Sequence, residues 1–114
     1  MKESKQDKLK KEQKKKALWA AREAEKFLPY FESRYKDKRP RKAIEAARDW
    51  ANGKIKCGDA RKAALNAHAA ARKAKNLAAK YAARAAGHSA ATCHAIGHAG
   101  GVTYYKKKII ELSV

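Results

Sequence analysis

Residues Leu77 to Ala99 read LAAKYAARAAGHSAATCHAIGHA, and this stretch decides the fold. It is alanine-rich, reads as helix, and carries only Lys80 and Arg84 as full charges. Three of the four histidines, His88, His94 and His98, fall on it. In a chain whose formal net charge is +18, a nearly charge-free helix is the one that other helices surround. Special chemistry is therefore sought along this rod.

Working outward, Asn76 offers a cap at the start of the rod, and Gly100-Gly101 reads as its stop. Val102 to Leu112 reads as a short last helix. On the N-terminal side, Gly58-Asp59 offers a cap for a helix from Ala60 to about Lys75. Its inner stripe is almost pure alanine: Ala60, Ala63, Ala64, Ala67, Ala70, Ala71 and Ala74, with His68 at the edge. Pro40 starts an earlier helix with Ala43, Ile44, Ala47 and Trp50 inward, ended by Asn52-Gly53. Ala17 to Phe31 shows helical spacing, interrupted at Pro29 by an expected kink or restart. No segment alternates like a strand. The fold class is all-α, a compact bundle of about five helices around the alanine- and histidine-rich one.

The chain divides into a lysine-rich tail or frayed helix at 1–16 and a single helical domain at 17–114. The tail holds eight lysines and reads as a solvated arm, or as an arm for polyanions. Nearly a quarter of the residues are alanine, so large anchors are few. Trp19, Phe27, Leu28, Phe31, Trp50, Leu65, Leu77 and Tyr81 are expected to fill that role. No apolar run approaches membrane-spanning length, so no membrane partner is expected. The chain reads as cytoplasmic, with Cys57 and Cys93 as two free, buried, reduced thiols.

His94 and His98 are four residues apart and would project from one helix face, as two imidazoles sharing a metal must. His88 and His68 complete a candidate cleft of four rings. Against a metal stand the absence of a glutamate following His94 and of any CxxC pair. The plainer reading is packed, hydrogen-bonded rings, with Ser89 and Thr92 as available partners. No metal site and no cofactor is assigned. No catalytic set is visible either: Cys93 and His94 are chain neighbours that point about 100° apart on a helix. Gly87 and Gly97 read as close-packing positions.

The sequence pI of about 10.1 implies attraction to polyanions or acidic proteins. Trp19, Tyr30 and Tyr35 are candidate anchors for a partner, with Arg39, Arg41 and Arg48 as candidate contacts. Trp19 and Tyr30 lie off the main helical stripe, and a homodimer that buries them is one option. Arg61, Lys62, Arg72, Lys73 and Lys75 extend a basic stripe that nucleic acid could use, although no helix-turn-helix accompanies it.

Three blocks carry a resemblance. Arg39 to Gly53, RPRKAIEAARDWANG, resembles the RPRxAIExxRxWxxG motif of the immunity-5-like immunity proteins of bacterial polymorphic toxin systems. Ala64 to Arg72, ALNAHAAAR, and Ala85 to His98, AAGHSAATCHAIGH, resemble that family's next two blocks, in the same order. Leu18 to Glu32 is similar to its opening helix. The matching positions are Arg39, Pro40, Glu45, Trp50, His68, His88, His94 and His98. The resemblance implies an all-helical, non-enzymatic protein that binds and blocks a cognate toxin. The chain's charge departs from what an inhibitor of a basic nuclease needs and points to an acidic toxin. Nucleic-acid association and a ligand-binding bundle centred on the histidines are the alternatives.

Overall fold

Asn76 does cap the rod: its side-chain oxygen accepts from the Ala79 amide at 2.9 Å. The computed structural model describes residues 3–112. Six helices follow in order: α1 (Lys5–Phe27), α2 (Pro29–Glu32), α3 (Arg39–Ala51), α4 (Cys57–Lys73), α5 (Leu77–Ala91) and α6 (His98–Leu112). The described residues contain no strand. α2 is a single turn that restarts the chain after Leu28, where Pro29 removes a donor, so five principal helices remain. α5 packs against every other helix, with α4 and α6 as its broadest partners.

Alanine is what makes that centrality possible. Ala79, Ala82, Ala83, Ala85, Ala86 and Ala90 of α5 are buried, facing Ala64, Ala67, Ala70 and Ala71 of α4. Small side chains let helix backbones approach closely, but each buries little area at about 25 cal/mol per Å². The larger buried residues therefore matter disproportionately. Leu28, Phe31, Ile44, Trp50, Val102 and Ile109 are buried. Trp19, Phe27 and Tyr81 are partly buried against the clusters. Leu65 and Leu77, expected as anchors, are exposed at 68% and 44%. Each sits on a helix whose inner face alanines already fill.

Polar groups inside the bundle find local acceptors. The Ser89 hydroxyl donates to the Ala86 carbonyl at 2.6 Å and the Thr92 hydroxyl to the His88 carbonyl at 3.0 Å. They serve the backbone, not the histidine rings as the sequence suggested. Buried Glu23 on α1 accepts from Lys26 at 2.6 Å and from Lys106 of α6 at 3.0 Å. Both lysines hold its carboxyl below the usual range.

Three boundaries depart from the sequence reading, and a fourth, the start of α1, takes the helical option that reading left open. The lysine-rich segment is helical from Lys5, with Ser4 capping the Asp7 amide at 3.1 Å. Gln13 anchors this extension by donating to the Thr92 and Cys93 carbonyls, both at 2.9 Å. The rod ends at Ala91, not Ala99, and Gln13 supplies donors for the two carbonyls that the break leaves outside a helix. Gly100-Gly101 lies inside α6 instead of ending a helix. α4 also begins earlier, at Cys57, and Asp59 accepts from the Lys56 amide at 3.3 Å.

The thiols are the remaining correction. Cys57 and Cys93 form a disulfide with a Cα separation of 5.6 Å. Ending α5 at Ala91 turns Cys93 toward the first residue of α4, which brings the two sulfurs together. No helix among the described residues is long and apolar enough to cross a membrane.

Candidate functional site

The four imidazoles do gather, but not as a row on one helix. His68 comes from the middle of α4, His88 from the last turn of α5, His94 from the following turn and His98 from the start of α6. The break after Ala91 removes the four-residue helical relation between His94 and His98, whose ring centroids are 6.4 Å apart. His94 lies exposed, and His68, His88 and His98 are partly buried.

Each inner ring is engaged through its Nδ1 atom and its faces. His68 and His88 meet edge to face at 5.1 Å between centroids. Arg84 Nη1 lies 2.9 Å from His68 Nδ1. A guanidinium only donates, so that nitrogen must be the acceptor and the ring proton sits on Nε2. His88 Nδ1 lies 3.0 Å from His98 Nδ1, so one ring donates and the other accepts. Tyr105 stacks on His88 at 5.6 Å, and Tyr81 packs on Tyr105 at the same spacing.

Both deep rings are held neutral. Burial lowers His68 to about 4, helped by the charges of His88, Arg84, Arg72 and His98. Burial likewise lowers His88 to about 4, with His98 and then Arg84 adding repulsion. A protonated His68 would also present an N–H to the Arg84 donor.

Two glycines make room for these rings. A Cβ on Gly87 would sit 2.7 Å from His68 Nε2, and one on Gly101 would sit 2.6 Å from His88 Cγ and Nδ1. Gly87 is thus the close-packing position expected, although it receives a ring and not a backbone. Gly97 faces open space, contrary to its reading as a close contact. Tyr81 and Arg84 align with His88 on one face of α5 by helical spacing alone, whereas sequence reasoning missed Gly101 and Tyr105, one helical turn apart on α6.

What remains open is a shallow cleft of about 170 Å³ bordered by Arg61, Leu65, His68, His94 and His98. Among the described residues, no three His, Cys, Asp or Glu side chains are grouped to hold a metal ion. With His68 Nδ1 facing Arg84 and the His88 and His98 Nδ1 atoms paired with each other, the cluster works as a polar joint between α4, α5 and α6.

The candidate partner residues divide in two. Arg41 forks onto Glu32 at 2.7 and 2.6 Å, and Arg48 onto Glu25 at 3.0 and 2.9 Å. Arg39 grips Asp37 with its shortest contact at 2.6 Å. These pairs hold Glu25, Glu32 and Asp37 below the usual carboxylate range, the arginine hydrogen bonds being the main cause. The Tyr35 hydroxyl accepts from the Lys75 amide at 3.0 Å and the Asn76 amide at 3.4 Å, tying α2 to the α4–α5 link. Tyr30 is exposed, and Trp19 is half-buried beneath the Lys16 ammonium at 5.3 Å.

No curated protein and no solved structure matches the chain. The family model for the Imm-5 like putative immunity protein matches residues 7–114, so the chain belongs to that family, which stands for toxin neutralisation by binding a toxin partner.

Proposed function

We propose that this protein neutralises a cognate toxin through a stoichiometric, non-enzymatic complex with an acidic surface of that toxin. The observation that carries the reading is family membership across nearly the whole chain. The distribution of charge supports it. Arg39, Arg41 and Arg48 spend their charge on internal carboxylates, whereas the first half of α1 presents Lys5, Lys8, Lys10, Lys15 and Lys16 to solvent. A positive surface of this kind steers an acidic partner and speeds association. In this reading Trp19 and Tyr30 touch the partner, while Tyr35 and the three arginines hold the surface that presents them.

The test is to search the gene's neighbourhood for a toxin-like reading frame and to co-express the two. Growth is expected to be restored, and the two chains to co-elute as a complex that weakens as salt rises. Failure of rescue would overturn the proposal. Generic duplex binding with a steep salt slope and no toxin complex would replace it with a nucleic-acid reading.

A further inference from the structure

A recess whose lining includes no histidine lies between the start of α1, the end of α3 and the start of α4. It encloses about 600 Å³. Its rim carries Lys10, Lys14 and Lys56, and its lining includes no carboxylate. None of these lysines is ion-paired among the described residues, unlike Lys26, Arg41, Arg48 and Lys106. Its floor is apolar: Leu9, Ile55 and Trp50 beside the disulfide. Leu9 is 66% exposed, an unusual placement for a leucine in a segment otherwise built of lysine and polar residues.

The recess is also braced. Gln13 ties α1 to the Thr92 and Cys93 carbonyls, and Cys93 is bonded in turn to the first residue of α4. α1, the turn after α5 and α4 therefore hold their relative positions before anything binds. Such preorganisation cuts the ordering cost of association.

Resting on the immunity reading above, we propose that this recess is the docking site for a segment of the partner protein that carries an apolar side chain flanked by Asp or Glu. The apolar side chain enters between Leu9 and Ile55, and its acidic neighbours meet the three lysines. Charge complementarity selects an acidic segment. The aliphatic floor selects a protein over a nucleic acid, because Trp50 is buried and offers no open face for stacking a base. Lys10, Lys14 and Leu9 lie in the segment that reads from sequence as a solvated or polyanion-binding arm; the recess exists only once α1 is helical back to Lys5 and the disulfide closes its far wall.

Two measurements test this. In the growth assay, Lys10→Glu with Lys14→Glu is compared with Lys73→Glu with Lys75→Glu, which makes the same charge change on α4 and beyond. Wild type and the second pair are expected to rescue, and the first pair to fail. Circular dichroism of the first pair should match wild type, since both lysines point into solvent or the recess. If all three rescue, the docking site is wrong and the immunity function stands.

If wild type itself fails, the second measurement decides the recess alone. Amide shifts of isotope-labelled protein are followed on titration with three synthetic peptides: alternating Glu and Leu, all Glu, and alternating Lys and Leu. The Glu–Leu peptide should shift Leu9, Ile55 and Lys56 and bind at least tenfold more tightly than all-Glu, while the Lys–Leu peptide should not bind. Equal binding of both acidic peptides, shifts spread over the whole basic surface, or displacement by duplex DNA with the same shifts would overturn the site.

Discussion

His88 Nδ1 and His98 Nδ1 face one another at 3.0 Å, which obliges one ring to donate and the other to accept. The Arg84 donor at His68 and the burial of both rings keep His68 and His88 neutral. The pH dependence of the cluster follows. His68 and His88 are lowered from 6.5 to about 4 in the folded chain, so between those values the unfolded chain binds protons that the folded one does not. Stability is fully present above pH 6.5 and declines as pH falls toward 4. The melting temperature should therefore start to drop near pH 6.5, well above the window in which Glu23, Glu25, Glu32 and Asp37 take up protons. His88→Gln should flatten that upper decline. An unchanged profile between pH 6.5 and 4.5 in wild type would contradict the neutral cluster.

Gly100 and Gly101 are adjacent in α6, yet alanine should have opposite effects at the two sites. A Cβ on Gly101 meets the body of the His88 ring at 2.6 Å, and that ring is pinned by Tyr105 and His98. Gly101→Ala should cost about 1–3 kcal/mol through overpacking. Gly100 faces open space, so Gly100→Ala should gain up to about 1 kcal/mol of helix propensity. Thermal melts of the two variants check the sign.

The same glycine pair shows where sequence reasoning reached its limit. The alanine stripes of α4 and α5 have a period of three and four and a clear inner face, so helix type, the centrality of α5 and the Asn76 cap were legible from residues alone. The turn at 92–97 was not, because the groups that hold it include Gln13, nearly eighty residues away, which donates to the Thr92 and Cys93 carbonyls. A glycine doublet looks the same whether it ends a helix or lets one pass close to a ring. The histidine gathering was legible as a set of residues. The Tyr105 contact was not, since it meets His88 only after α6 folds back, and the Arg84–His68 contact depends on how α4 packs on α5. The disulfide was hidden for the same reason: a helix continuing through Cys93 would have aimed that thiol elsewhere.

The Cys57–Cys93 bond closes a loop of 36 residues between the start of α4 and the turn after α5. By chain-entropy arithmetic such a crosslink stabilises the fold by about 4 kcal/mol. Cys57→Ser with Cys93→Ser should thus lower the denaturant midpoint substantially. Hydrogen exchange in the double variant should rise first at residues 92–97, which would then be held by Gln13 alone. A reduced wild-type protein should behave like the variant. Equal midpoints for oxidised and reduced protein would mean that the bond constrains nothing that matters.

Arg48 and Glu25 join α3 to α1 through two parallel hydrogen bonds, and Arg41 with Glu32 repeats the arrangement toward α2. These side chains are partly exposed, so screening limits each pair to about 1 kcal/mol. A residue committed to an internal fork differs from a free docking contact in one measurable way. Glu25→Gln and Arg48→Ala should each lower stability slightly, and the double variant should cost less than the sum, because removing either partner already breaks the pair. Arg48→Lys should behave almost like Arg48→Ala, since lysine keeps the charge but cannot form the fork. If instead Glu25→Gln is silent while Arg48→Ala abolishes toxin neutralisation, Arg48 belongs to the partner surface and the internal pair is incidental.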